Sequence, residues 1–177
     1  MKNFQVKELM VSLSEYATVN ENATLQEAVL ALEKAQENDM QRRYRHRAVL
    51  VLDKTGNVTG KVSQLDVLRA LEPKYDDMRS RYEANLGGFT RSFIKSMLNQ
   101  FNLWDKPMQD VCTKAAVRKV SEFMYTPSEG EFVDIDATLD EAIHQLVMGQ
   151  HQSLLVLEKE KIVGVLRLTD VFDAVCA

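Results

Sequence analysis

Apolar positions along this chain follow two rhythms, and the same succession of rhythms occurs twice. Leu25, Ala28, Val29 and Leu32 recur at helical spacing, and so do Leu139, Ala142, Ile143 and Leu146. Thr24 with Glu27, and Thr138 with Glu141, stand at the two helix starts. That spacing predicts a capping box, in which hydroxyl and carboxylate each satisfy a free backbone N–H. Each helix is followed by two short apolar runs joined by a turn. They are Ala48–Leu52 and Val58–Ser63 around Lys54-Thr55-Gly56-Asn57, then Leu154–Leu157 and Ile162–Arg167 around Lys159-Glu160-Lys161. Such runs predict strands paired as hairpins. A short helix closes each set, Gln64–Leu71 or Leu168–Val175, and a brief strand is expected ahead of each long helix, near Val19 and near Val133.

The repetition extends to residue identities. A shift of 114 lays Val6-Lys7-Glu8-Leu9-Met10 on Val120-Ser121-Glu122-Phe123-Met124, and Ala23-Thr24-Leu25-Gln26-Glu27-Ala28 on Ala137-Thr138-Leu139-Asp140-Glu141-Ala142. Further along, a shift of 104 lays Gly60-Lys61-Val62-Ser63-Gln64-Leu65-Asp66 on Gly164-Val165-Leu166-Arg167-Leu168-Thr169-Asp170. The change of shift puts about ten extra residues in the first copy, mostly within 37–45. The expected organisation is a first unit at 4–73, a helical segment at 74–118 and a second unit at 119–177. The expected fold class is α/β: two tandem strand-helix-strand-strand-helix units packed sheet to sheet, with a helical insert between them. A unit of this size buries too little surface to be comfortable alone, so each copy is expected to cover the other's sheet. In the middle segment, two helical pieces flank Gly87-Gly88. Phe89, Phe93, Ile94, Met97, Leu98 and Phe101 form an apolar stripe that is expected to end near Trp104 and Pro107, and it reads as core or dimer interface, or as a groove for a protein partner.

Composition narrows the classes. With 177 residues, 45% hydrophobic and 27% charged, the chain has globular proportions. Its formal net charge of -4 offers no broad basic surface, which makes nucleic acid an unpromising partner even though Arg42-Arg43-Tyr44-Arg45-His46-Arg47 is locally basic. Cys112 and Cys176 match no metal or redox spacing and are expected as free thiols. No apolar run approaches the ~20 residues of a membrane span, and the charged start does not look like a signal peptide. A cytoplasmic, membrane-free protein is the expectation.

The paired units resemble a tandem of CBS domains, the regulatory modules named after cystathionine beta-synthase. Three features carry the resemblance: the opening Val-x-Glu-hydrophobic-Met with its Thr-Leu-x-Glu-Ala helix start, the apolar strand ending in Asp53, and the Gly-x-hydrophobic-Ser/Thr-x-x-Asp run at 60–66. The resemblance implies an adenosine-containing ligand (AMP, ADP, ATP or S-adenosylmethionine) in the cleft between the units, as a regulatory ligand and not a required cofactor. It also implies a homodimer and leaves room for an unidentified protein partner.

Residue by residue, Asp66 would accept the ribose hydroxyls and Ser63 would cap the helix or bond the sugar and phosphate; alternatively the two form only a helix cap. Asp66 is expected at an exposed helix start, where its removal should hardly affect folding. In the second copy Asp170 keeps its place but Arg167 replaces the serine, to pair either with a phosphate or with Asp170. His46-Arg47 resembles a phosphate-contacting pair, and His151-Gln152 matches it without the arginine; both histidines also read as partly buried strand ends. Val19 and Val133, on the brief strands, complete the candidate set. The run at 56–63 lacks the spacing of a phosphate-binding loop, and Ser92-Phe93-Ile94-Lys95 lacks companion motifs, so no catalytic constellation is found and no enzyme is expected.

Overall fold

The computed structural model describes residues 4–38, 46–82 and 89–176. The basic run at 42–45 and Gly87-Gly88 lie outside the described residues. The chain opens with α1 (Val6–Leu9), β1 (Val11–Ser12), β2 (Thr18–Asn20), α2 (Leu25–Asn38), β3 (Ala48–Leu52), β4 (Val58–Ser63) and α3 (Gln64–Leu71). The middle segment holds α4 (Lys74–Tyr82), α5 (Arg91–Gln100) and α6 (Met108–Ala116). After single 3-10 turns at Val120–Glu122 and Glu129–Glu131 come β5 (Phe132–Asp134), α7 (Leu139–Gly149), β6 (Ser153–Glu158), β7 (Lys161–Arg167) and α8 (Leu168–Cys176). Two copies of strand-helix-strand-strand-helix are therefore present.

Two sheets result, ordered β2-β3-β4 and β1-β7-β6-β5. In each, the brief strand runs parallel to the central one, Val19 opposite Val51 and Val133 opposite Val156, and the hairpin partner runs antiparallel. The central strands explain their own composition. Side chains alternate between faces, so Val49 and Val51 enter the core under α2 while Leu50 faces the other way. Leu154 and Val156 likewise enter the second unit's core, and Leu155 turns outward. Leu50, Leu155 and Val165, each 1% exposed, meet Val11 and Tyr16 in a third apolar layer between the sheets. A strand covered on both faces must be apolar throughout, which is why these runs do not alternate with polar residues.

The opening segments of the two units are exchanged. Val6, wholly buried, sits in the second unit's core with Phe4, Leu9 and Met10 against it, while Val120 and Phe123 sit in the first unit's core. The main chain repeats the exchange symmetrically. The first free N–H of α2, at Leu25, donates to the Arg118 carbonyl (2.8 Å), and that of α7, at Leu139, donates to the Phe4 carbonyl (3.0 Å). Val120 donates to the Ala23 carbonyl and Val6 to the Ala137 carbonyl in the same way. Each segment then crosses a hairpin strand, Tyr125 bridging Lys61 and Val11 pairing with Val165.

This crossing accounts for the repeated glycine. A Cβ on Gly60 would come within 2.6 Å of Met124 Sδ and 3.1 Å of the Tyr125 carbonyl oxygen; one on Gly164 would come within 2.6 Å of the Val11 carbonyl oxygen. Only a residue without a side chain lets the foreign segment approach so closely.

Two expectations need correction. Thr24 and Glu27 form the capping box, with the Glu27 carboxylate accepting from the Thr24 N–H at 2.6 Å and the Thr24 hydroxyl accepting from the Glu27 N–H at 3.2 Å. Thr138 holds the equivalent position, yet its side chain makes no cap bond, although the first N–H of both helices is served alike by an exchanged carbonyl. The middle segment has a third helix: α5 ends at Gln100, ahead of Trp104 and Pro107, and Pro107 then starts α6. Val111 and Ala115 of α6 are buried, Ala115 in the first unit's core. The stripe at and just before α5 is mostly uncovered within the chain: Met97 is buried, but Phe89, Ile94 and Leu98 stay 40–51% exposed, which leaves the interface and groove expectations open.

The two glycines should not be equally sensitive. Gly60→Ala meets first the end of a flexible methionine, whereas Gly164→Ala meets a backbone carbonyl that cannot swing away. Gly164→Ala is expected to lose roughly 1–3 kcal/mol in urea unfolding, and Gly60→Ala distinctly less. Equal losses, or the reverse order, would contradict the exchanged arrangement.

Candidate ligand cleft

Strand β4 runs into α3 without a loop. Ser63, in extended conformation, is the N-cap, and Asp66 closes a reciprocal box with it. Asp66 Oδ2 accepts from the Ser63 N–H at 2.8 Å and from the Ser63 hydroxyl at 2.6 Å, while the Asp66 N–H donates to Ser63 Oγ at 3.2 Å. Asp66 Oδ1 accepts from Arg69 Nη2 at 2.7 Å. Arg69 also donates to the Phe123 carbonyl, at 3.4 Å, and lies 3.6 Å from Asp76 on α4. The expectation of an exposed carboxylate is thus wrong. Asp66 is only 5% exposed, because the turn that caps α3 folds its side chain inward and Arg69 lies against it.

In the second copy Arg167 stands where Ser63 stands in the first. Its guanidinium makes a two-pronged ion pair with Asp170, Nε to Oδ2 at 2.5 Å and Nη2 to Oδ1 at 2.6 Å. Arg167 is only 8% exposed. Tyr16, from the first unit, lies within electrostatic reach of both groups: burial pushes its hydroxyl up to about 12, with Arg167 opposing and Asp170 adding to the rise. The Tyr16 ring meets the His46 ring edge-on with centroids 4.5 Å apart. Tyr16 therefore packs on His46 and lies near the Arg167–Asp170 pair of the other unit, a placement its sequence context gave no sign of.

The remaining candidates are dispersed. His46 is buried and its carbonyl accepts from Gln36 Nε2 at 2.6 Å, while Arg47 is exposed. His151 matches His46 in topology but folds back over the end of α7, where a Cβ on Gly149 would collide with its ring. The residue between them, Gln150, takes the left-handed turn with φ 52°, a conformation usually left to glycine. His151 faces a shallow outer concavity of about 610 Å³ shared with Glu141, His144, Phe132 and Val133. Val133 belongs to the second unit's core and Val19 packs against the first unit's core, so neither reaches the layer between the sheets.

One buried ionic group spans the units. Lys61 Nζ lies 2.5 Å from Glu131 Oε2, and Oε1 of the same carboxylate accepts from the Tyr125 hydroxyl at 2.5 Å and the Ser128 N–H at 3.1 Å. Burial pushes the Glu131 carboxyl up, but the hydrogen bonds from Lys61, Tyr125 and Ser128 outweigh it and hold it below its ordinary value. Nothing in the sequence pairs residues seventy positions apart, and the contact follows only from the exchange. Among the described residues, no cluster of three or more metal-ligating side chains could hold an ion, and no helix is long and apolar enough to cross a membrane.

The CBS domain family matches residues 6–73 and 120–177. No curated protein sequence is detectably similar. Among solved structures, CBSX2 in complex with AMP superposes with a TM-score of 0.61 at 16% identity, over 98% of this chain and 96% of that one. A CBS domain-containing protein of unknown function from Bacillus anthracis gives 0.63 at 16% identity, over 98% and 93%. The CBS domain of a membrane protein from Sphaerobacter thermophilus gives 0.62 at 14% identity, over 97% and 88%. At these identities the likeness is one of fold.

The ion pair between the units should behave as a unit. Glu131→Ala leaves a partly buried Lys61 without its counter-charge and is expected to lose roughly 3 kcal/mol, the low end for a buried pair, whereas Lys61→Met with Glu131→Leu should recover most of it. Because the Glu131 carboxyl lies below its ordinary value, its share of stability is full above about pH 4.5 and is lost as the pH falls further. A double-mutant cycle by urea unfolding at pH 7 and pH 3 checks both; additive single losses at pH 7 would contradict the pairing.

Proposed function

Because the chain belongs to the CBS domain family, with two copies of the domain joined through their sheets, we propose that it is a regulatory module that takes one adenosine-containing ligand per chain at Asp66, in the cleft between the units. The asymmetry of the two helix starts carries this reading. At Asp66 one carboxylate oxygen is tied into the cap and the other is held by a single bond from a surface-reaching arginine. At Asp170 both oxygens are gripped by Arg167, itself buried. Freeing Asp170 strips the more deeply buried guanidinium of two parallel bonds, whereas freeing Oδ1 of Asp66 breaks one bond to an arginine that can turn into solvent, so the Asp170 position is the one held closed by the chain itself. The AMP bound to CBSX2 supports an adenosine ligand here. Occupancy would be reported as a change of shape, and any coupling to a partner must act in both directions.

A homodimer fits the same reading. Leu65 and Leu68 on α3, and Phe172 and Val175 on α8, are all more than half exposed, on the closing helices of both units. Apolar surface repeated on two pseudo-equivalent helices suits a two-fold, self-complementary contact. A second reading, a scaffold without ligand, draws on the open face of α5 at Phe89, Ile94 and Leu98.

Calorimetric titration of AMP, ADP, ATP and S-adenosylmethionine into the protein decides between them. One site per chain is expected. Asp66→Asn, which retains a cap acceptor, should weaken binding about ten-fold or more, since hydrogen bonds to a charged group are worth about 1.5–3 kcal/mol each. Asp170→Asn should leave affinity within about two-fold, and Arg167→Ser should open a second site. Asp66→Ala is the poorer probe, because losing the cap alone costs about 1 kcal/mol of stability. Equal losses at Asp66 and Asp170 would overturn the ranking of the sites, and no heat with any of the four compounds would favour the scaffold.

A further inference from the structure

An ionised carboxylate offers about four lone-pair directions. At Asp66 three are in use: two on Oδ2 from the Ser63 N–H and hydroxyl, one on Oδ1 from Arg69. The two adjacent hydroxyls of a ribose need two acceptor directions, and one remains. Space is equally short, since the Asp66 side chain is 7% exposed. Of its two hydrogen-bonding partners, Ser63 is fixed because its own main chain is the cap. Arg69 has a long side chain, 20% exposed, that can turn into solvent. Releasing Arg69 is therefore the route that frees a second acceptor direction without disturbing the helix cap.

Letting go exposes a partly buried guanidinium to the loss of its closest partner. Its other contacts, the Phe123 carbonyl at 3.4 Å and Asp76 at 3.6 Å, are longer than the 2.7 Å bond to Asp66. A ligand that brings its own anion can supply the missing partner, and a guanidinium matches a phosphate with two parallel hydrogen bonds. An uncharged nucleoside cannot, and S-adenosylmethionine sets a sulfonium cation on the 5′ carbon, where AMP carries its phosphate, with its carboxylate further out beyond that positive charge.

We propose that Arg69 is the residue that sets ligand class at this site: it exchanges Asp66 for a phosphate when the ribose binds, so the site takes an adenosine phosphate and discriminates against adenosine and S-adenosylmethionine. This rests on the reading of Asp66 as the ligand carboxylate, and goes beyond it by naming the group that selects.

The test is calorimetric titration of AMP, adenosine and S-adenosylmethionine into the full chain, for wild type, Arg69→Gln and Arg69→Lys. Each variant is judged by its own ratio of affinities, which a small loss of stability does not move. Wild type is expected to prefer AMP over the other two by about ten-fold or more. Arg69→Gln should bring AMP and adenosine within about two-fold of each other, AMP having lost its counter-charge and adenosine no longer having to displace one. Arg69→Lys, with the charge restored, should recover the preference for AMP. A preference that survives Arg69→Gln would overturn the proposal, as would wild type binding all three alike. If Asp66→Asn still abolished that undiscriminating binding, the ligand site would stand and only the role of Arg69 would fall. Binding of none of the three by wild type would sink the ligand reading, and this proposal with it.

Discussion

Each sheet in this protein has two apolar faces, and the helices of its own unit cover one. Leu50 and Leu155, on the inward faces of the two central strands, are removed from water only because the other unit is there. The units are thus obligatory partners, and the exchange of opening segments makes the dependence covalent. Val6 completes a core more than a hundred residues away in sequence, and Val120 returns the arrangement. The glycines at 60 and 164 are the steric condition for it, since the crossing segments pass where their side chains would be.

The candidate site grows out of the same construction. The hairpin strands that the foreign segments cross are the strands that end in Ser63 and Arg167, where α3 and α8 begin. The crossing segment also reaches Arg69 through the Phe123 carbonyl, and Glu131 and Tyr125 meet Lys61 two residues before Ser63. Asp66 is therefore connected, through Arg69, to a part of the chain that belongs in sequence to the other unit. This is the physical link through which one bound molecule could alter the relation of the two halves, because packed cores and buried ion pairs shift between discrete arrangements.

Much of the fold was legible because local signals agree with one another. Helical spacing at 25–32 and 139–146, apolar runs with turn residues between them, and a motif repeated in order leave little freedom of architecture. The closing helix at Gln64–Leu71 and the strands at 48–52 and 58–63 fall where the pattern puts them. What escaped notice is non-local. The exchange leaves no trace in periodicity; its one sequence mark is the recurring glycine, which reads as part of a motif until the crossing segment is seen. The helix α6 was hidden by Pro107, a residue that serves helix starts as well as stops. At the site, the Ser-x-x-Asp spacing gave the cap correctly but not the burial of Asp66, which depends on Arg69 lying across it. His46 and His151, alike in sequence, part ways because Tyr16 stands beside one while Gly130 and Gly149 open space for the other.

If the chain holds one usable ligand carboxylate, Asp66, and has closed the other with Arg167, the two helix starts must respond differently to ligand. Backbone amide NMR during titration with AMP reads both of them in one experiment. Saturable shifts are expected at Ser63, Asp66, Arg69 and Phe123, while Arg167 and Asp170 stay nearly still. Shifts centred on Arg167 and Asp170, or none at either helix start, would contradict this arrangement.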